Sequence, residues 1–494
     1  MTVRKTISPA PVPRLPRLSR LAAALALAAS LAACAVGPAY ERPDIATPVN
    51  WKEAAPAAGW TAAAPADAHP RGPWWTLFGD ATLNELAERV QVSNQNIAAA
   101  AATYAQAQAA VREQRSALFP TLGISGSARR SGTRETGSAS GSAAVALEGD
   151  WAPDLWGRVR EATNSAQAQA QASEADLAAA RLSIQGALAS NYFSLREADV
   201  EMQVVDASIA GYERSLTIAR NRYEAGIAPQ SDVTQAETQL ANTRADRASL
   251  VRTRAVLEHA IAVLAGAAPA DFSLAPARWT PTVPDIPLAV PSELLQRRPD
   301  IAASERAVAS ANAQIGIARS AYYPTLSLSA SLGRTAGSVS NLFNASDTLW
   351  SLGLSVAQVV FDAGAIGARV DQAQAGRDAA VARYRQTVLT AFQGVEDQLS
   401  AVAALRQQED LRRAASVAAD KTEQQVQNRY FAGQVSYVEV VLAQISALNA
   451  RRNLLQVQVA RQLAAVGLIQ AMGGGWQAAE MAEMTDKASQ PASR

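Results

Sequence analysis

The chain has 494 residues, a net charge of +1 and 49% hydrophobic residues, with one cysteine and two histidines. So even a charge balance gives no basic face for nucleic acid, and a lone cysteine excludes an internal disulfide framework. No apolar run reaches the roughly 18–20 residues of a spanning helix, so any membrane crossing falls to another kind of element.

Arg4, Lys5, Arg14, Arg17 and Arg20 form a basic leader, followed by the apolar residues 21–33. This is the pattern of a processing signal rather than of a fold. It ends in Leu31-Ala32-Ala33-Cys34, which resembles a bacterial lipoprotein signal, with Cys34 taking the acyl chains and becoming the first mature residue. An ordinary signal peptide with a chance cysteine is the alternative. Each buried acyl methylene contributes about 0.8 kcal/mol, so several chains anchor firmly. Ala35 follows, where an inner-membrane retention signal has aspartate, and that points to outer-membrane delivery. Residues 1–33 are therefore read as signal and 34–81 as an extended, proline-rich lead-in. Its Trp74, Trp75 and Phe78 are expected to pack against the body.

The rest is one unit written twice, and a repeat of this length decides the architecture. The first copy covers 82–266, a proline-rich link 267–297, the second copy 298–472, and a polar tail 473–494. Each opens with helix. Leu83, Leu86 and Val90 mark a short piece, and 96–118 a longer one whose counterpart begins at Arg298-Pro299-Asp300-Ile301, with Asp300 placed to cap it. Ala117-Leu118-Phe119-Pro120-Thr121-Leu122 then returns as Ala321-Tyr322-Tyr323-Pro324-Thr325-Leu326.

After each proline the chain alternates with period two. Leu122, Ile124, Gly126 and Ala128 interleave with Gly123, Ser125, Ser127 and Arg129, and Val145, Leu147 and Trp151 with Ala146, Glu148 and Asp150. The second copy repeats this at Leu326, Leu328, Ala330 and Leu332, then at Trp350, Leu352, Leu354 and Val356. Such patterning suits tilted transmembrane strands as well as one face of a soluble sheet. Phe119, Trp151, Tyr322, Tyr323 and Trp350 lie near strand ends, where an aromatic girdle would sit. Counting separates the two readings. Four strands cannot close a barrel, since single-chain barrels begin at about eight, and an open edge in hydrocarbon costs several kcal/mol per unpaired backbone group. Self-association is required, and three copies supplying twelve strands is the natural solution.

Each second strand runs into a long helix, 154–223 and 362–430, about 70 residues or on the order of 100 Å. Leu177, Ile184, Leu188 and Leu195, and Tyr384, Val388, Phe392, Val395 and Leu399, show the three-four spacing of a packing seam. Asn221-Arg222-Tyr223-Glu224-Ala225-Gly226 ends the first and Asn428-Arg429-Tyr430-Phe431-Ala432-Gly433 the second. Return helices follow at 231–264 and 436–472, each expected to stack end to end with a short first helix and so match one long helix. The link and tail are expected to form a belt. The predicted fold is mostly α with a membrane β-barrel portion. Long antiparallel helical hairpins are expected to form a helical tube, an α-barrel, and four strands per chain to enter a 12-stranded barrel in a homotrimer.

These residues resemble the outer-membrane efflux factors, the TolC-like family, and most closely its lipoprotein branch serving RND-type multidrug pumps. The resemblance rests on Leu31-Ala32-Ala33-Cys34, Gly37-Pro38-Ala39-Tyr40, Trp75-Thr76-Leu77-Phe78-Gly79-Asp80 and Leu294-Leu295-Gln296-Arg297-Arg298-Pro299-Asp300-Ile301, with both strand starts and both tips. It covers nearly the whole mature chain. It implies a homotrimeric channel in the outer membrane that receives drugs or other small toxic compounds from an inner-membrane transporter, RND-type, through a periplasmic adaptor. A conduit for type I protein secretion or heavy-metal cations, and a non-conducting coiled-coil lipoprotein, are the alternatives.

No catalytic constellation is visible. His69 and His259 have no second ligand at metal spacing, and neither a phosphate loop nor a nucleophile elbow occurs. The expected cofactor set is none, apart from covalent lipid on Cys34. Candidate function lies at the tips. Gly226 and Gly433 permit the left-handed turn that ends a helix, and Tyr223, Gly226, Tyr430 and Gly433 are the expected adaptor-docking tips. Asp232 and Glu439 each follow the glycine by the same interval, and in a trimer they would ring the periplasmic entrance with carboxylates. Both also have a local reading. Ser436-Tyr437-Val438-Glu439 is a capping box, and Asp232 suits a helix N-terminus. The family's arginine near this turn is replaced by Val435.

Overall fold

A computed structural model describes residues 36–48, 50–53, 73–132, 139–284, 298–342, 344 and 348–474. Cys34 with the leader, link residues 285–297 and the tail from 475 lie outside the described residues. After α1 (Ala81–Ser93), the first repeat lays down α2 (Gln95–Ser116), β1 (Thr121–Gly132), β2 (Ala139–Trp151), α3 (Arg158–Glu224) and α4 (Gln230–Leu264). The second lays down α5 (Pro299–Ser320), β3 (Thr325–Ala336), β4 (Thr348–Ala357), α6 (Ala365–Phe431) and α7 (Tyr437–Ala471). Equivalent helices match in length, with 22 residues in α2 and α5, 67 in α3 and α6, and 35 in α4 and α7. Two compact units result, one from residues 36–42, 107–170 and 307–380 and the other from 43–106, 171–306 and 381–474. Each repeat contributes to both.

The first unit holds an antiparallel sheet of four strands in the order β1-β2-β3-β4. Its register places Ile124 opposite Leu147, Leu147 opposite Leu332, and Leu332 opposite Trp350. Opposed residues share a face, so this row, with Leu328 and Leu354 in the next, makes one face apolar. The other face carries Ser125, whose hydroxyl donates to Glu148 at 2.9 Å, and the Ser331–Ser351 pair at 2.8 Å. The apolar face is uncovered in the single chain: Leu122 is 75% exposed, Ile124 82%, Trp350 76% and Leu352 74%. Among the described residues β1 pairs only with β2 and β4 only with β3, which leaves both edges open. Phe119, Trp151, Tyr322 and Tyr323 gather at the end where β1 and β3 begin, whereas Trp350 stands near the opposite end, at the start of β4. Trp151 donates its indole N–H to the Leu118 carbonyl at 3.0 Å, and Trp156 stacks on Tyr323 at 4.9 Å. Among the described residues no helix is long and apolar enough to cross a membrane.

The aspartates expected to open the long helices precede them and cap them. Asp154 accepts the N–H groups of Val159 and Arg160 at 3.0 and 2.9 Å, and Asp362 those of Gly364 and Ile366 at 2.9 and 2.6 Å. Each satisfies helix-start donors that have no intrahelical partner.

In the second unit, the three-four rows bury Leu83, Leu86 and Val90 of α1 against Leu188, Tyr192, Phe193 and Leu195 of α3. Trp74, Trp75 and Phe78 join them, with Phe78 and Phe193 ring centroids 5.0 Å apart. The lead-in packs here as expected: Trp51 meets Phe392 edge-on at 5.9 Å, and Glu396 accepts the N–H groups of Lys52 and Glu53 at 2.8 and 3.0 Å. Return and first helices abut in both repeats. Asn94 donates to the Leu264 carbonyl at 2.8 Å while its own oxygen caps Asn96 and Ile97, and Arg298 donates to the Ala471 carbonyl at 2.7 Å. Asp300 is not the cap of α5. Pro299 opens that helix and Asp300 lies inside its first turn, where its carboxylate still accepts the Ile301 N–H at 2.9 Å and is held by Arg298 at 3.0 and 2.7 Å.

A buried ionic cluster fastens the chain that follows α4. Asp199 takes Arg196 at 2.9 Å and Arg254 at 2.6 Å, Arg196 also donates to the Ala275 carbonyl, and Glu258 accepts the Leu274 N–H at 2.6 Å. Charges this deep are tolerable only when each is paired, so the cluster fixes where the link leaves α4.

Two outcomes follow for stability. Gly226 and Gly433 sit at φ 70° and 73°, and a Cβ added at either meets nothing within 4 Å. Gly226→Ala and Gly433→Ala are therefore expected to cost only the backbone strain of a left-handed residue, roughly 1–2 kcal/mol each, checked by denaturant unfolding in detergent with the asparagine variants less affected. Burial, reinforced by Glu201, pushes the Glu197 carboxyl up from 4.5 to about 7. Because the folded chain holds that proton more tightly than the unfolded one, stability falls as pH rises from about 4.5 through about 7. Glu197→Gln should flatten this part of the stability–pH profile, raising stability above pH 7 and leaving it unchanged below 4.5.

Candidate functional site

The tips of the two hairpins are the same turn built twice. At the end of α3, Gly226 donates to the Tyr223 carbonyl at 2.9 Å and Ile227 to that of Arg222 at 2.8 Å. At the end of α6, Gly433 donates to Tyr430 and Gln434 to Arg429, both at 2.9 Å. This paired closure, with glycine in the left-handed conformation, satisfies carbonyls the helix leaves open. It is the reason for the glycine in each repeat.

Around these turns the repeats diverge. Tyr430 is 5% exposed, packed with Tyr212, Leu216, Leu240, Tyr437 and Val441, whereas Tyr223 is 45% exposed. The Arg222 guanidinium lies 4.7 Å from the centroid of the Tyr430 ring, and its Nη1 donates to the Tyr430 carbonyl at 3.2 Å. Tyr430 and Tyr437 are tilted at 5.4 Å. The site thus brings Asp232 and Tyr430 together with Arg222 and Tyr437, and leaves Tyr223 and Glu439 facing outward. Val435 packs at the margin of the apolar cluster, and the basic group of the tip comes from the helix end instead.

The electrostatics follow from burial. Partial burial raises the Asp232 carboxyl and Arg222 opposes it. Burial raises the Tyr430 phenol, with Arg222 opposing and Asp232 adding. Tyr437 is pushed up to about 12 by burial, then by Tyr430, Asp232 and Tyr212. Both phenols stay protonated at neutral pH, available as donors. Tyr430 Oη and Arg222 Nε are buried without a hydrogen-bond partner among the described residues, which costs free energy at the tip.

The capping box expected at Ser436 and Glu439 has its residues in position but not its side-chain bonds among the described residues. Ser436 occupies the N-cap of α7, but its hydroxyl makes no cap bond, and the turn closes through the Glu439 N–H on the Ser436 carbonyl at 3.2 Å. Asp232 lies in the first turn of α4, behind Pro229. Sequence reasoning passed over Arg222, Tyr212 and Tyr437. Arg222 was visible in the repeated Arg-Tyr pair, but its reach to the other hairpin was not. Among the described residues no three His, Cys, Asp or Glu side chains converge as a metal site.

The family described as outer membrane efflux protein matches residues 86–267 and 290–474. The chain is 30% identical over 471 residues to the probable efflux pump outer membrane protein TtgC of Pseudomonas putida, covering 94% of this chain and 96% of that one. It is 28% identical over 457 residues to the cation efflux system protein CusC of Escherichia coli, covering 91% and 98%. Among solved structures, the outer-membrane channel OprN aligns with a TM-score of 0.78 at 30% identity, over 90% of this chain and 100% of the other. The chain belongs to the outer membrane efflux protein family.

Proposed function

We propose that this chain is the outer-membrane channel of a tripartite efflux pump, passively conducting drugs or other small toxic compounds outward. The observation that carries it is the four-stranded sheet with one apolar, uncovered face and two open edges. Hydrocarbon is the environment that such a face fits, and backbone groups at the edges must be paired there. Three copies joined edge to edge give a barrel of twelve strands. The long hairpins then form a periplasmic tunnel, whose tips meet an adaptor protein and, through it, an inner-membrane transporter of the RND type. Tyr223, Gly226, Tyr430 and Gly433 belong to the docking tips. Cys34, outside the described residues, carries covalent lipid that tethers the lead-in to the outer membrane. The chain performs no catalytic step, since energy for transport comes from its partner.

Asp232 and Glu439 ring the periplasmic entrance as carboxylates in this reading. The exposed position of Glu439 and the half-buried position of Asp232 beside Tyr430 support it. A cation conduit is the second reading, favoured by these carboxylates and by the likeness to a protein named for cation efflux.

Deleting the gene should sensitise cells to drugs or dyes, and restoration by the wild-type gene checks the assignment. Sensitivity to metal cations alone would select the second reading, and unchanged susceptibility with the pump expressed would remove both. In planar bilayers, Glu439→Ala and Asp232→Ala should raise conductance or weaken block by divalent cations, by about tenfold for the double variant, equivalent to about 1.4 kcal/mol. Unaltered block with intact helix content would assign these carboxylates to the helix ends alone.

A further inference from the structure

The two hairpins are built alike below their tips as well. Arg244 of α4 pairs with Glu213 of α3 at 2.7 Å, and the equivalent Arg451 of α7 pairs with Asp420 of α6 at 2.8 Å. One offset relates both these pairs and the turns at Gly226 and Gly433. A contact made by the first hairpin on the second therefore has a defined counterpart from the second onto a first.

The inter-hairpin contact at the tip runs in one direction. Arg222 of the first hairpin covers the Tyr430 ring at 4.7 Å and donates to the Tyr430 carbonyl. The equivalent donor, Arg429, is exposed on the second hairpin, and the equivalent receiver, Tyr223, is 45% exposed on the first. Among the described residues neither of these side chains forms a hydrogen bond or ion pair. One chain thus carries an unused donor on one hairpin and an unused receiver on the other. Unlike, complementary surfaces on one molecule are what head-to-tail association into a closed ring requires.

We propose that Arg429 of one copy stacks on Tyr223 of the next copy and donates to its carbonyl, repeating between copies the contact that Arg222 makes with Tyr430 within one. Glu439, equivalent to Asp232, then falls beside Arg429 and the neighbouring Tyr223, as Asp232 falls in the field of Arg222 and Tyr430. The site is incomplete in a single chain, because its aromatic half comes from another copy. A guanidinium over a phenol ring is attractive, more so once water is excluded. The tip ring would alternate internal and intermolecular links of one chemistry, each repeat holding the next. This inference rests on the reading of the chain as a ring of copies.

The test is thiol cross-linking of the full chain in detergent, with native mass measured alongside. The double variant Arg222→Cys with Tyr430→Cys serves as an internal ruler, choosing the bismaleimide length that bridges the known contact. The same reagent on Tyr223→Cys with Arg429→Cys should give covalent dimers and trimers on a denaturing gel, with each single variant giving none. A ring by native mass, a bridged ruler pair and no covalent oligomer from the second pair would overturn the contact while leaving the ring. Covalent dimers from either single variant would overturn it too, since the bridge would not need both positions. Chains of single mass throughout would overturn the contact and the ring together.

Discussion

Backbone hydrogen bonds at a sheet edge govern this molecule. β1 and β4 each present a row of N–H and C=O groups with no partner among the described residues, on a sheet whose one face is leucine, isoleucine, valine and tryptophan. In water such a strand invites uncontrolled pairing; in hydrocarbon it costs several kcal/mol per group until another strand arrives. The apolar face and the open edge make opposite demands on a lone chain, one for lipid and one for a polar partner. Association of copies through their edges meets both.

The duplication extends that logic down the helices. Equal helix lengths and equivalent turns place the same side chains at the same level in each hairpin, so the two repeats offer each other nearly matching surfaces. Where they differ, the differences are informative. Tyr430 is enclosed and Tyr223 is not: the first hairpin's Arg222 covers Tyr430 on the second, and the second hairpin's Arg429 has no receiver among the described residues. The buried Arg196–Asp199–Arg254 group serves another need, locking the departure of the link. Removing one member would strand a charge at the centre of the helical packing.

Much of this was legible in the residues. Period-two alternation after Pro120 and Pro324 gave the strands, three-four rows gave the helical seams, and the repeated glycine gave the turns, since all three are local patterns. The helix starts were displaced by a few residues because Asp154 and Asp362 act from outside the helix they cap, and a propensity pattern does not distinguish a cap from a first residue. The Ser436–Glu439 pair looked like a capping box, but its serine hydroxyl makes no cap bond. The link between Arg222 and Tyr430 joins residues distant in sequence, so no spacing rule could reveal it. Local symmetry made Tyr223 and Tyr430 look equivalent. The packing of one hairpin on the other made them different.

The account depends on the sheet edges being satisfied by sister chains, and the stoichiometry of the conducting particle tests that most directly. Native mass spectrometry of the full chain released from detergent micelles, on the same preparation that forms channels in planar bilayers, should give three chains per particle and no conducting fraction at single-chain mass. A single chain that opens channels, or a stable monomer with its β1 and β4 amides protected from hydrogen exchange in lipid, would contradict it.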